Sequence, residues 1–285
     1  MKAKTTTKEE YQERINRLVE YINTHLDGEI DLNFLAEMSG FSRWHFHRIV
    51  SAFLGEPLGA FIVRMRIETA ARWLRYSDLP IQEIAYRVGY DVPSSLSKVF
   101  RQFYGISPNQ YRIDKTFHIM QPEKVQPDLQ LQAEVKDVPQ RQVIYICRRG
   151  DYRQVDYAGT WKSLQEFARS QGASFFDPSP LCIYHDDPKV TPPERLRTDI
   201  CMTVSEEVAP RGEVGRKSVL GGRYAVFLYK GPYTQLQSVY DTIYSQLIPR
   251  LECTLRDSPS SERYLNDPVT TAPADLLTEI YIAVE

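Results

Sequence analysis

Short hydroxyl and cationic side chains gather in one stretch of the sequence, between residues 94 and 101. Side chains of these two kinds suit the base edges and phosphates of DNA, and the stretch contains Ser94, Ser95, Ser97, Lys98 and Arg101. Apolar residues at helical spacing lie among them: Leu96, Val99, Phe100 and Phe103. The pattern predicts a helix with one buried face and one polar face that can read DNA.

A shorter helix that must hold this one in place is predicted just before it. Its apolar residues recur at i, i+3, i+4 and i+7, and they are Ile81, Ile84, Ala85 and Val88. Gly89 then interrupts the pattern. Two amphipathic helices joined by a glycine turn form a helix-turn-helix. Many helical domains that bind no nucleic acid contain the same arrangement, so periodicity alone leaves both interpretations open.

The same unit occurs about 50 residues earlier in the chain. Its apolar positions are Leu32, Leu35, Ala36, Phe41, Phe46, Ile49, Val50 and Phe53. Its outward positions include Arg43, Trp44, His47 and Arg48. A further helix joins the two units, with an apolar side of Phe61, Met65, Ala70, Ala71 and Leu74. Two such reading helices in one chain can enter successive major grooves, roughly 34 Å apart, so we expect an asymmetric DNA site.

Residues 11 to 112 resemble the DNA-binding domain of the AraC/XylS family of bacterial transcription regulators. The resemblance lies in DLNFLAEMSGFSRWHFHRIVSAFLG and in IQEIAYRVGYDVPSSLSKVFRQFYGISPNQYR, which ends on the SP-x-x-YR sequence typical of the family. It implies double-stranded promoter DNA as a partner, with RNA polymerase as a further candidate. We expect Arg48 and Lys98 to contact phosphate or guanine, and Trp44 to pack on sugar or a thymine methyl. His47, Ser94 and Ser97 are expected to probe base edges.

Charge and composition set limits on the other functions of this 285-residue chain. The net charge is −2; residues 1–115 carry 16 basic and 14 acidic side chains, and residues 116–285 carry 19 and 23. The second half is therefore expected to be a poor surface for DNA. No apolar run approaches the ~20 residues of a membrane span, and the first residues lack a signal-peptide core. We expect a cytoplasmic protein with no membrane partner.

Cysteine and histidine spacing gives no indication of a metal or cofactor. The four cysteines are Cys147, Cys182, Cys201 and Cys253, and no two of them form a C-x-x-C pair. His45 and His47 are two residues apart and would face different ways on a helix. We expect reduced, buried thiols and neither a metal site nor a cofactor.

The chain is predicted to be multidomain, α and α+β. Residues 1–114 form an all-α domain with two helix-turn-helix units, 115–129 a linker with Pro122 and Pro127, and 130–285 a duplicated βαββ effector-binding domain. The duplication is predicted from segments that resemble each other 80 residues apart, 184–188 with 264–268 and 198–204 with 278–284. Helices are expected at 157–170 and 235–251, and the symmetry predicts a cleft between the two units.

The second half resembles the GyrI-like small-molecule-binding domain, through its G-x-Y turns and its closing TEIYIAV strand. The resemblance makes Glu279 the acidic residue that binds cationic, apolar ligands, with Asp199 as its copy. If Ile280 and Ile282 pack on the helices, Glu279 is expected to point into the cleft. Aromatic faces would add cation–π attraction, and the candidates are Tyr152, Trp161, Tyr184, Tyr229, Tyr233, Tyr264 and Tyr281.

Three interpretations of the second half stay open. The first is an effector site for a cationic aromatic molecule. The second is a hydrolase in which Glu279 acts with Tyr281, Tyr233 or Tyr152, although no nucleophile with a matched base is visible in the sequence. The third is a protein-binding surface, and Trp161 at helical spacing with Leu164 also suits a core position.

Overall fold

The computed structural model describes six stretches of the chain: residues 7–114, 131–173, 175–204, 208–251, 253–256 and 258–285. Within its helices and strands, the side chains of residues 7, 43, 44, 175–179 and 249 lie outside this description. The predicted linker, 115–129, also lies outside it. The chain divides into two units, Met1–His118 with Arg211–Gly215 and Ile119–Pro210 with Arg216–Glu285.

The first unit is helical within residues 7–114. Its helices are α1 (Thr7–Thr24), α2 (Leu32–Ser39), α3 (Arg43–Leu54), α4 (Leu58–Tyr76), α5 (Ile81–Arg87), α6 (Pro93–Tyr104) and α7 (Pro108–Ile113). Asp31 caps α2 and Ser107 caps α7 through side-chain oxygens that accept backbone amides. Among the described residues, no single helix has the length and apolar composition of a membrane span; α3 and α4 meet that test only as a pair, bent by 47°.

Both predicted helix pairs are present, as α2 with α3 and α5 with α6. Ile84, Ala85, Val88, Leu96 and Phe100 are fully buried, as predicted. The prediction for Phe103 is wrong: its side chain is 39% exposed, and Tyr104 takes the inward position. The buried stripe follows residues 96, 100 and 104 because four residues slightly exceed one 3.6-residue turn. Leu32, in the first turn of α2, is likewise 39% exposed.

The helix α4 joins the two helix-turn-helix pairs. It contacts α3, α5, α6 and α7, and its predicted apolar residues are all buried: Phe61, Met65, Ala70, Ala71 and Leu74. Arg64 on the same helix is buried between two carboxylates, with Nη2 2.6 Å from Glu56 Oε1 and Nη1 3.0 Å from Glu68 Oε2. These contacts make α4 the common support of both pairs.

The second unit contains one sheet whose eight strands are described. They are β1 (Gln132–Val138), β2 (Arg141–Arg149), β3 (Phe175–Tyr184), β4 (Arg197–Val204), β5 (Gly215–Val219), β6 (Gly222–Lys230), β7 (Ser260–Tyr264) and β8 (Leu277–Ala283). Their order is β1-β6-β8-β7-β3-β4-β2-β5. The helix α8 (Tyr157–Ser170) follows β2. After β6 come α9 (Leu236–Thr242), a π-helical turn (Ile243–Leu247) and α10 (Ile248–Arg250).

The strand order is symmetrical about the central pair β3 and β7. From the centre outwards, the order β3, β4, β2 on one side corresponds to the order β7, β8, β6 on the other. The edge strand β1 pairs with β6 instead of its neighbour in sequence, β2. The other edge strand, β5, escaped prediction because GRKSV lacks apolar alternation. An ion pair ties β5 to β4: Lys217 Nζ lies 2.5 Å from the buried Asp199 Oδ2.

Candidate functional site

Polar side chains of α6 form one stripe on the surface of the first unit. Ser94, Ser97, Lys98 and Arg101 lie at i, i+3, i+4 and i+7, on the side away from the buried Leu96. Ser94, Lys98 and Arg101 are exposed, whereas Ser97 and the neighbouring Ser95 are half-buried. A shallow surface depression here is lined by Ser97, Lys98, Arg101 and Gln102. The stripe is therefore open to a partner along its whole length.

The helix α3 presents the corresponding residues of the first helix-turn-helix pair. His47 and Arg48 are exposed, and the ring of His47 packs edge-on against the buried Phe46 at 5.2 Å. The side chains of Arg43 and Trp44 lie outside the described part of the chain. The described cations of both reading helices, Arg48, Lys98 and Arg101, thus face solvent.

The cations of these two helices differ in their contacts from the arginines that support the unit. Within the described part of the chain, Arg48, Lys98 and Arg101 have no hydrogen-bond or ion-pair partner. By contrast, Arg66 donates hydrogen bonds to the carbonyls of Leu26 and Gly28. Unpaired and exposed cations on α3 and α6 can neutralise phosphates without breaking an internal contact.

A buried carboxylate, Glu262, lies at the centre of the second unit. On β7 it is opposite Cys182 of β3 and Ile280 of β8, and the residue is only 2% exposed. The hydroxyl of Tyr264 donates to Glu262 Oε2 at 2.5 Å. The hydroxyl of Tyr184 lies 2.9 Å from that of Tyr264. Because Tyr264 uses its proton on Glu262, Tyr184 donates to Tyr264, and a chain of hydrogen bonds ends on the carboxylate.

Aromatic rings surround this chain of hydrogen bonds. The ring of Tyr264 meets Trp161 of α8 at 5.5 Å and Tyr233 at 5.2 Å, both edge to face. Tyr184 meets Tyr152 in the same way at 4.8 Å. Five of the predicted aromatic residues are thus brought together at one place. Rings of this kind beside a carboxylate can hold an aromatic cation.

Among the described residues of this unit, Glu262 differs from the other buried acids in having no cationic partner. Within the described residues of the second unit the buried carboxylates are Asp186, Asp199, Asp241 and Glu262. Asp186 Oδ1 lies 2.7 Å from Arg197 Nη2, and Asp241 pairs with Lys189. Burial raises the pKa of Glu262 to about 7, although the hydrogen bond from Tyr264 favours the ionised form.

Asp199 shows the opposite electrostatic situation. Its Oδ2 lies 2.5 Å from Lys217 Nζ and 2.6 Å from His185 Nε2. Burial would raise the pKa of Asp199, but the charges of Lys217 and His185 outweigh it and hold that pKa well below its usual range. Asp199 is therefore already neutralised from within and is not an acceptor for an external cation.

Glu279 does not face the aromatic cluster, although the sequence predicted that it would point into the ligand-binding cleft. Ile280 and Ile282 do pack with the helical residues Val239 and Ile243, but the aromatic cluster lies on this same helical side of the sheet. Glu279 is therefore on the opposite side, paired with Arg263 at 3.2 Å.

Two of the predicted tyrosines also lie away from the cluster. Tyr281 packs with Tyr224 and Val226 on the side of Glu279, and its hydroxyl donates to Glu279 at 2.6 Å. Tyr229 is 1% exposed in the core under α9, and its hydroxyl donates to the carbonyl of Pro232 at 3.1 Å. Both side chains therefore have structural contacts in place of a ligand-facing position.

The sequence analysis did not predict Glu262 as a site residue, because the sequence of its strand lacks the pattern that is typical of a strand. The segment Ser260–Tyr264 reads SSERY and has no apolar alternation. One signal was available: Glu262 lies two residues before Tyr264, so a strand would put both on the same face. Tyr264 itself was predicted to line the site, and extending its strand backwards by two residues finds the carboxylate.

Comparison with known proteins identifies both units. Residues 131–285 match the GyrI-like small molecule binding domain, and residues 35–113 match a helix-turn-helix domain. The HTH-type transcriptional activator AarP of Providencia stuartii is 34% identical over 102 residues, which are 36% of this chain and 76% of AarP. The transcriptional regulator Rob of Salmonella typhimurium is 24% identical over 263 residues, which are 88% of this chain and 89% of Rob.

A solved structure is also similar to part of this chain. The DNA-binding domain of AdpA in complex with a target DNA is 29% identical, covers 36% of this chain and 94% of its own, and has a TM-score of 0.35. A helix-turn-helix domain followed by a small-molecule-binding domain defines the class of DNA-binding transcription regulators with an effector domain. The chain belongs to the AraC family of these regulators, with a GyrI-like domain as its effector domain.

Proposed function

We propose that residues 1–114 bind promoter DNA through α3 and α6, and that residues 130–285 bind a small aromatic cation at Glu262. The observation that carries the effector site is that Glu262 is a buried carboxylate with no cationic partner among the described residues. Burying such a charge is costly unless an opposite charge accompanies it. A cationic ligand supplies that charge, and the rings of Trp161, Tyr233 and Tyr264 add attraction to its flat surfaces.

A further feature of the cluster supports a ligand. The indole N–H of Trp161 is buried and has no hydrogen-bond partner within the described residues. A buried donor without an acceptor costs about 1–3 kcal/mol. A ligand with an oxygen or nitrogen acceptor opposite its cationic end would satisfy Trp161 and Glu262 together.

Binding without turnover is the role we assign to this cluster. A nucleophile would have to be activated by a lowered pKa or a matched base. Burial instead raises the pKa values of the Cys182 thiol and the Tyr264 hydroxyl well above their ordinary values. Glu279 with Tyr281 was the catalytic pair considered for a hydrolase, and the charge of Glu279 is neutralised by Arg263. RNA polymerase stays a candidate partner of the DNA-bound protein, because a promoter-binding regulator acts on transcription there.

We expect tetraphenylphosphonium, but not the equally shaped anion tetraphenylborate, to raise the melting temperature of the full chain, because a ligand that binds the folded state stabilises it. In the Glu262→Gln variant the affinity for tetraphenylphosphonium should fall about tenfold or more, as expected for loss of the Coulombic attraction between the buried carboxylate and the phosphonium charge. Isothermal titration calorimetry at pH 8 measures both affinities.

The matched control is Glu279→Gln, which removes a strand carboxylate from the other side of the sheet. This variant should retain wild-type affinity. Equal stabilisation by the cation and the anion, or equal losses in the two variants, would rule out Glu262 as the cation-binding residue.

A further inference from the structure

The described groups that surround Glu262 supply no positive charge. When no ligand is present, a proton on the carboxyl group is therefore what removes its negative charge. Among the described residues, the titratable groups that face it come from its own strand, from β3, from α8, from α9 and from the turn before α9. They are Tyr264, Cys182, Tyr184, Tyr157, Tyr240 and Tyr233. All of them are neutral in their protonated forms, so none can act as a counter-ion.

Three basic side chains of the unit are each paired with another carboxylate. Arg263, the next residue on β7, points to the opposite side of the sheet and pairs with Glu279. Lys189 is bound to Asp241, and Arg197 to Asp186. Moving Lys189 or Arg197 to Glu262 would leave another buried carboxylate unpaired, which is strongly destabilising.

We propose that effector binding is an exchange of a cation for a proton at Glu262. In the empty site, at a pH below the pKa of Glu262, the carboxyl group is protonated and neutral. When a singly charged cation enters, the O–H bond of the carboxylic acid breaks, the proton passes to solvent, and the carboxylate faces the ligand. At that pH the site is neutral before and after binding. This inference rests on the proposed effector site and adds both the charge of the ligand and a dependence on pH.

The exchange predicts how affinity changes with pH. Burial raises the pKa of Glu262 to about 7, and a bound cation would lower it again. Below that pKa the ligand must displace the proton, and above it the carboxylate is already ionised. The affinity for a permanent monocation should therefore rise about tenfold from pH 6 to pH 8 and then level off. A dication would leave one charge unbalanced in the site.

Calorimetry can count the protons directly. Tetraphenylphosphonium has no titratable group, so any proton released comes from the protein. Titration of the full chain in buffers of different ionisation enthalpy should show about one proton released per bound cation at pH 6 and almost none at pH 8.5. Glu262→Gln should abolish the release, and Glu279→Gln should preserve it. Tight binding at pH 6 without proton release would overturn the exchange while leaving the cation site intact.

The proton on Glu262 can also be tested without any ligand. A carboxyl group with a raised pKa in the folded state contributes stability that is fully present below its unfolded pKa of about 4.3 and is lost as the pH rises to about 7. The melting temperature of the wild type, measured relative to Glu262→Gln, should therefore fall between pH 5 and pH 7.5 and then stay level. Parallel pH profiles would refute the protonated state. Failure of tetraphenylphosphonium to bind at every pH would instead reject the proposed function.

Discussion

Replacing Arg48 and Lys98 together by alanine is expected to weaken binding to promoter DNA by about 100-fold or more, because each side chain should supply one base or phosphate contact. Both side chains are exposed, and neither has an internal partner within the described residues. Their removal should therefore leave the fold and the ligand affinity unchanged. The measurement is a gel shift at one stated salt concentration, with a duplex selected by the wild-type protein from a random library.

A matched double variant separates this effect from a simple loss of charge. Arg17 on α1 and Lys162 on α8 are also exposed, and no partner is described for either. Arg17→Ala with Lys162→Ala removes the same two kinds of side chain from helices outside the proposed interface. We expect it to bind within a few-fold of wild type. Comparable losses in both double variants would show that net charge, and not the position on α3 and α6, governs affinity.

The salt dependence of DNA binding provides a second test of the roles of Arg48 and Lys98. Each phosphate contact that is lost should make the slope of log affinity against log salt concentration less steep by about one. A base contact should instead relax sequence preference at one position. Arg48→Ala and Lys98→Ala measured separately will therefore show which residue contacts which part of DNA.

Substituting alanine for Gly89 is expected to destabilise the first unit by about 2–5 kcal/mol, the combined effect of left-handed backbone strain and overpacking. Gly89 has φ +76°, a conformation that L residues adopt at a cost. A Cβ there would collide with the carbonyl oxygen of Leu26 and would lie 2.6 Å from Arg66 Nη2. Arg66 Nε donates to that same carbonyl, so the added methyl group displaces a contact between α4 and the end of α1.

The control for Gly89→Ala is Gly105→Ala. Gly105 has φ +77°, but no atom lies within 4 Å of a Cβ built there. Its substitution should cost only the backbone strain, about 1–2 kcal/mol. Thermal unfolding followed by circular dichroism should therefore show a clearly larger loss for Gly89→Ala. Equal losses would mean that φ alone sets the cost and that the approach of Leu26 does not matter.

Much of the helical unit was determined by local sequence. Apolar residues at helical spacing and left-handed glycines such as Gly40 and Gly105 specify where helices run and end. The same spacing correctly predicts that Lys98 and Arg101 lie on the outside of α6. A helix has one period and one buried stripe, so its exposed face can be read directly from the sequence. In the second unit, the bounds of α8 and the inward position of Leu164 follow from the same rule.

Only the tertiary structure decided which buried carboxylate of the second unit lacks a cationic partner among the described residues. The alternation along β8 correctly separated Ile280 from Glu279, but it could not show which side of the sheet carries the aromatic cluster. That depends on the pairing of β7 with β3, which puts Glu262 opposite Cys182, 80 residues away. Neutralisation of Glu279 and Asp199 by Arg263 and Lys217 is equally non-local. Local sequence sets the period of a strand, whereas contacts between distant strands decide which buried charge is left without a partner.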